Sequence, residues 1–266
     1  MRKLAVSICE ENIGVTPFET AAAIKAAGFQ QVFIQWYDRH LYGGYNGFDQ
    51  QEVVDYVKNK QLEIIFAHLG YQTVNELWLP EEAGDDLTER YLRNLDECRH
   101  NGISEVMLHL TKGTEVPDPS VYGLERIERL LVRGQQLGMK VSFENNWAPG
   151  FQDYVFDNLK HYDNLGICYD AGHDHKNGEI FPFERFKGRI SCVHLHDNFA
   201  SHDQHLLPFD GSISWPRVMK QLREAGYQGP VTLELKYRGD YLAMPLTDYF
   251  REAYKRAGAL RWYLEG

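Results

Sequence analysis

Cysteine is scarce in this sequence, and the four that occur, Cys9, Cys98, Cys168 and Cys192, stand far apart with no Cys-x-x-Cys pair. Their scatter argues against a disulfide framework or a thiolate zinc site and makes a reducing cytoplasm the expected compartment. No apolar run approaches the ~18 residues needed to span a membrane. The N-terminus starts basic at Arg2 and Lys3 but meets Glu10 and Glu11 before any long apolar region develops, so it reads as a first strand and not a signal peptide. Positive charge is in the minority: 28 Lys and Arg face 38 Asp and Glu, for a formal net charge of −10. This balance argues against broad, nonspecific nucleic-acid binding. No Gly-x-Gly-x-x-Gly follows an early strand, which disfavours an open doubly wound sheet of the dinucleotide-binding type. Nor does any linker or low-complexity stretch divide the chain, so residues 1–266 are read as one domain.

What is present is a repeated phrase: an amphipathic helix, a glycine, then a short apolar strand. It occurs as Ala27-Gly28 before Val32-Phe33-Ile34, and as Asn101-Gly102 before Val106-Met107-Leu108. It returns as Leu137-Gly138 before Val141-Ser142-Phe143, and as Ala225-Gly226 before Val231-Thr232-Leu233. Glycine suits the left-handed residue just past a helix end, and Asn59 before Leu62 is read in the same role. Strands are expected near 3–9, 31–36, 62–68, 105–110, 140–144, 165–170, 190–196 and 230–235. Eight strands alternating with helices imply a parallel sheet, and 266 residues match the roughly 250 of a single (β/α)8 TIM barrel.

Barrel enzymes draw their reactive groups from the C-terminal strand ends. Here strands 3 to 8 end in His68, His109, Glu144, Asp170, His194-Leu195-His196 and Glu234. Period-2 alternation puts Glu144 with Ser142, Asp170 with Cys168, His194 with Cys192, and Glu234 with Thr232. The bulkier alternate residues suit packing on the outer helices. The small ones, one layer below each polar group, are expected to leave space above for a metal and a small substrate. Parity leaves His194 and His196 equivalent. Six unpaired polar side chains on one apolar rim would cost several kcal/mol in desolvation, a cost that a bound cation removes. Imidazole and carboxylate without thiolate suit zinc, manganese, cobalt or iron.

The order of motifs resembles the sugar phosphate isomerase/epimerase superfamily, the xylose isomerase-like TIM barrels also called AP endonuclease family 2. The resemblance rests on Phe143-Glu144-Asn145-Asn146, Tyr169-Asp170-Ala171-Gly172-His173, His194-Leu195-His196-Asp197-Asn198, Asp203-Gln204-His205, Gly211-Ser212-Ile213-Ser214-Trp215 and Leu233-Glu234. It implies one divalent ion on Glu144, Asp170, His194 and Glu234, with the family's His-x-x-Asp pattern selecting His194 and leaving His196 in reserve. The related endonuclease IV builds a three-zinc cluster, and its further ligands correspond to His68, His109, His173, Asp203 and His205. One to three ions of zinc, manganese or cobalt are therefore expected, with His173 as the alternative substrate contact. Phe209 stands where a glycine is common, so the loop after strand 7 is expected to be shaped differently. No counterpart of the DNA-inserting loops is found beyond Tyr71.

The function expected from this reading is isomerisation or epimerisation of a small sugar or sugar phosphate through a metal-stabilised enediolate. Glu144 and Glu234 would act as paired base and acid. Trp36, Tyr37 and Trp147 would stack on the sugar, while Lys112, Lys236 and Arg238 would hold a phosphate or carboxylate. The alternatives are an endonuclease IV-like multinuclear zinc phosphoesterase and a dehydratase-type lyase. A homo-oligomer is compatible with everything in the sequence.

Overall fold

The computed structural model describes residues 1–9, 11–37, 47–146 and 148–266, with Pro149 described by its backbone alone. Eight strands form one parallel sheet: β1 (Leu4–Ile8), β2 (Gln31–Trp36), β3 (Glu63–Leu69), β4 (Glu105–Leu108), β5 (Lys140–Glu144), β6 (Leu165–Asp170), β7 (Ile190–His194) and β8 (Val231–Leu233). Their order runs β7-β6-β5-β4-β3-β2-β1-β8, and a parallel bridge between Leu195 and Leu233 joins the two ends into a barrel. Helices α1 (Pro17–Ala27), α2 (Gln50–Asn59), α3 (Glu82–His100), α4 (Val121–Leu137), α5 (Pro149–Leu159), α6 (Ala171–Lys176), α7 (Trp215–Glu224) and α8 (Leu246–Glu265) surround it. None of the described helices is long and apolar enough to cross a membrane.

Local chemistry explains these boundaries. Helix α1 opens with a capping box, in which the Thr16 side chain accepts from Glu19 N and the Glu19 carboxylate answers Thr16 N, and Pro17 pre-sets the first turn. The glycines of the repeated phrase, Gly28, Gly102, Gly138 and Gly226, have φ of 108°, 78°, 65° and 80°, the left-handed stop a helix end requires. Asn59 does not play that part. It is the last residue of α2, and Gln61 adopts the positive φ of 55° instead.

The barrel wall sorts side chains by parity. Val32, Ile34, Val106, Leu108, Val141, Phe143, Ile167 and Tyr169 join the main core beneath the helices, whereas Phe33, Phe66, Met107, Cys168 and Cys192 form a separate cluster inside the barrel. Burying each of those phenylalanines contributes about 1.5–3 kcal/mol. They also correct the expected open layer. The Phe33 and Phe66 rings stack at 4.6 Å, and Phe33 stacks on the His194 ring at 4.8 Å. Bulk from β2 and β3 thus fills the space that small residues on β5 to β8 leave, and forms a solid floor beneath the polar rim.

Candidate metal centre

Four side chains from four successive strand ends converge above this floor. Ligand atoms of Glu144, Asp170, His194 and Glu234 all lie within 4.8 Å of one another, and all four residues are buried. His194 Nδ1 lies 2.5 Å from Glu144 Oε1, 3.4 Å from Glu234 Oε2 and 3.8 Å from Asp170 Oδ2. On the β3–β4 side, His109 Nε2 lies 2.6 Å from Glu144 Oε2 as an ion-pair contact, and the buried Oε2 accepts no hydrogen bond of regular geometry. The His68 ring sits 5.0 Å from His109, with its Nδ1 at 2.9 Å from the Leu69 carbonyl, and His68, His109 and Glu144 form a second convergent donor group. On the opposite side, His196, His205 and Glu234 form a third.

Asp203 and His205, expected from motif alone, reach the same place. Asp203 Oδ2 lies 2.8 Å from His205 Nε2 and 3.6 Å from His173 Nε2. The His173 Nδ1–H donates to the Asn145 carbonyl at 2.8 Å. Together with Glu11, Gln35 and Tyr71, these side chains enclose a cavity of about 40 Å³. Phe209, marked as a departure, keeps the glycine-like conformation at φ 77°, with its N–H donating to Asp197 Oδ2 at 2.9 Å. A side chain in that left-handed region carries backbone strain.

The electrostatics follow from crowding four carboxylates with six imidazoles. Burial disfavours a charged His194, yet Glu234 and Glu144 push its pKa up to about 9. Burial likewise opposes the charge on His196, and Asp170 and Asp203 bring it to about 8. For His68, burial and the neighbouring His109 win and lower it to about 4. Burial would raise Glu234, but His194 and His205 hold it at about 2. Glu144 is held well below the usual carboxylate range by His194 and His109, against the opposing effect of burial.

The expected substrate contacts fare differently. Trp36 shares parity with Val32 and Ile34, so it packs in the outer core and donates from Nε1 to Glu97 at 3.1 Å; Gln35 takes the inward place. Tyr37 is also buried in the outer core. Trp147 lies outside the described residues. Lys112 is exposed, donates to Gln72 and rests over the Tyr71 ring without lining the cavity. Lys236 does line it, but its Nζ lies 2.7 Å from Glu11 Oε1, and Arg238 Nη1 lies 3.1 Å from Glu11 Oε2. Glu11 thus pairs with both cations and leaves the trio with one net positive charge.

Three positioning residues were not singled out individually by sequence reasoning. The Asn145 side chain clamps the end of β6 by accepting from Asp170 N at 2.7 Å and donating to the Asp170 carbonyl at 2.9 Å. Asp197 is buried and accepts from the backbone N–H groups of Asn198, Phe209 and Ile213 and from Trp215 Nε1, tying down the loop that carries Asp203 and His205. Gly172 lies against the His196 ring, where an added Cβ would fall 1.9 Å from Cε1. All three sit inside the quoted motifs, and that was the signal available.

Comparison with known proteins agrees with this architecture. Residues 21–260 match the xylose isomerase-like TIM barrel family, and the chain belongs to it. It is 34% identical over 94 residues to an uncharacterised protein of Sinorhizobium fredii, covering 35% of this chain and 30% of that one. Against inosose dehydratase of Lacticaseibacillus casei it is 26% identical over 131 residues, covering 41% of this chain and 44% of the relative. The matched regions thus span less than half the length of these curated relatives. D-psicose 3-epimerase of Clostridium cellulolyticum, solved with D-tagatose, has the same fold with a TM-score of 0.73 at 15% identity, covering 98% and 99% of the two chains.

Proposed function

We propose that this protein is a divalent-metal-dependent isomerase or epimerase of a small sugar, with Glu144, Asp170, His194 and Glu234 holding the ion. The observation that carries the reading is the convergence of those four buried donors at the C-terminal mouth of the barrel. The residues fit a cation: three carboxylates meet one imidazole, and the buried Glu144 Oε2 accepts no hydrogen bond of regular geometry. The donor set favours zinc, manganese or cobalt over magnesium because an imidazole takes part. Bound there, the ion supplies Lewis-acid polarisation of a carbonyl and its neighbouring hydroxyl.

The chain's own groups do the proton work. Glu144 and Glu234 approach from β5 and from just beyond β8, and both are held ionised at neutral pH by their histidine neighbours. One removes the proton beside the carbonyl and the other returns it, either to the opposite face or to the adjacent carbon. Asp170 fixes the geometry by capping α6, accepting from His173 N at 2.6 Å. The similarity to inosose dehydratase and the fold shared with a sugar epimerase support a sugar-directed activity. The test is solvent deuterium incorporation into ketoses by the manganese-, cobalt- and zinc-loaded protein. Deuterium is expected at the carbon beside the carbonyl, abolished by chelator and reduced roughly 10²–10⁴-fold in Glu144→Gln and Glu234→Gln.

A second reading is favoured by one specific observation. Two further donor groups flank the first and share its carboxylates, His68 and His109 with Glu144, and His196 and His205 with Glu234. Such sharing suits a multinuclear phosphoesterase, in which paired ions clamp the attacking and leaving oxygens. Metal-dependent cleavage of a phosphate ester, with no deuterium exchange into any ketose, would establish that reading instead.

A further inference from the structure

A larger cleft adjoins the small cavity. It encloses about 530 Å³ between the segment after β7 and the turn Gly239–Ala243, within the volume range of small-molecule sites. The two spaces share a wall. Along residues 202–206 the side chains alternate: Asp203 and His205 line the inner cavity, whereas His202, Gln204 and Leu206 line the outer cleft. Lys236 borders both. The inner cavity, at about 40 Å³, has room for only a few waters.

The cleft presents an aromatic face on a built support. Phe199 is 55% exposed. It sits on a tight turn in which Phe199 N donates to Gln204 Oε1 at 2.9 Å and Ala200 N donates to Asn198 Oδ1 at 2.8 Å, with Ala200 held at φ 62°. On the facing side the Tyr241 hydroxyl accepts from Leu207 N at 2.9 Å and donates to Asp210 Oδ2 at 2.7 Å, which fixes that ring as well. The cations of the cleft are already ion-paired and have carboxylates beside them: Lys236 and Arg238 share Glu11, and Asp210 and Asp240 also line the walls. A phosphate would have to compete with those carboxylates. An uncharged, hydroxyl-rich ring would not, and its apolar face suits an exposed aromatic.

We propose that the outer cleft is a sugar-binding site for a neutral glycoside of two rings, with the reacting end of the first ring directed at the inner cavity and the second ring stacked on Phe199. The proposal rests on the sugar-isomerase reading for the identity of the inner ligand, and its test separates the two. The metal-loaded full-length protein is titrated calorimetrically with three probes that share one reacting end: fructose, fructose phosphorylated on its terminal hydroxymethyl oxygen, and isomaltulose, which carries a glucose on that same oxygen. Isomaltulose is expected to bind about tenfold tighter than either of the others. In Phe199→Ala the isomaltulose-to-fructose affinity ratio falls toward one, and Phe199→Tyr restores it. No preference for isomaltulose over fructose, whether both bind or neither does, overturns the subsite, as does a preference for the phosphate. Deuterium exchange into fructose without that preference would retain the isomerase and discard the subsite. Selective isomaltulose binding with no exchange would do the reverse.

Discussion

Removing divalent ions should reverse the sign of the protein's pH dependence of stability between about pH 6.5 and 9. In the ion-free protein His194 is the most informative group. Its folded pKa is raised from an ordinary 6.5 to about 9, chiefly by Glu234 and Glu144 working against burial. A raised pKa means the folded state binds the proton more tightly than the unfolded chain, so this stabilisation is complete below 6.5 and is lost as pH rises through 9. The difference corresponds to about 3 kcal/mol, and His196, raised to about 8, adds to it in the same direction. For a chain of this size that loss amounts to roughly 6–12 °C in Tm. With manganese or zinc bound the slope inverts, because ligation requires a neutral imidazole and the ion displaces the proton more easily as pH rises. The assay is differential scanning calorimetry across that interval, with and without chelator. Parallel curves for the two forms would refute the reasoning, because proton and metal would then not be competing for His194.

Two further predictions concern the loop after β7. Asp197→Ala strips the acceptor from three backbone N–H groups and the Trp215 indole, so the loss should reach about 4 kcal/mol in urea unfolding, with weakened metal affinity as Asp203 and His205 come loose. Phe209→Gly should be more stable than Phe209→Ala by about 1 kcal/mol in the same experiment, because the position demands a φ of 77° whatever residue fills it.

The barrel and the centre of its rim were legible because both are periodic. Strand spacing located all eight strands within a few residues, and alternation placed Glu144, Asp170, His194 and Glu234 on one face. The same rule, applied to β2, would have sent Trp36 outward with Ile34 and brought in Gln35; an aromatic near a strand end was given weight that parity denied it. The pairing of Lys236 and Arg238 with Glu11 was hidden for a different reason. Their partner Glu11 follows β1, more than 220 residues away in sequence, and reaches them only because β1 pairs with β8. The filled barrel floor is equally nonlocal, since small residues on one half of a barrel say nothing about Phe33 and Phe66 on the other.

The placement of the four central donors bears on the fold as well as on chemistry. They come from β5, β6, β7 and the residue just past β8, and so straddle the one junction in the barrel that lacks a regular ladder. There the backbone offers Leu195 N to the Thr232 carbonyl and Glu234 N to the Leu195 carbonyl, around a single Leu195–Leu233 bridge. His194 precedes that bridge on one side and Glu234 follows it on the other, their side chains 3.4 Å apart. An ion shared by these two residues would tie the seam directly, while Glu144 and Asp170 anchor it to strands whose pairing is complete. Ion binding there would make ligation and closure of the barrel a linked equilibrium. With such an ion bound, closing the barrel would also bring Glu144 and Glu234 into register across the seam.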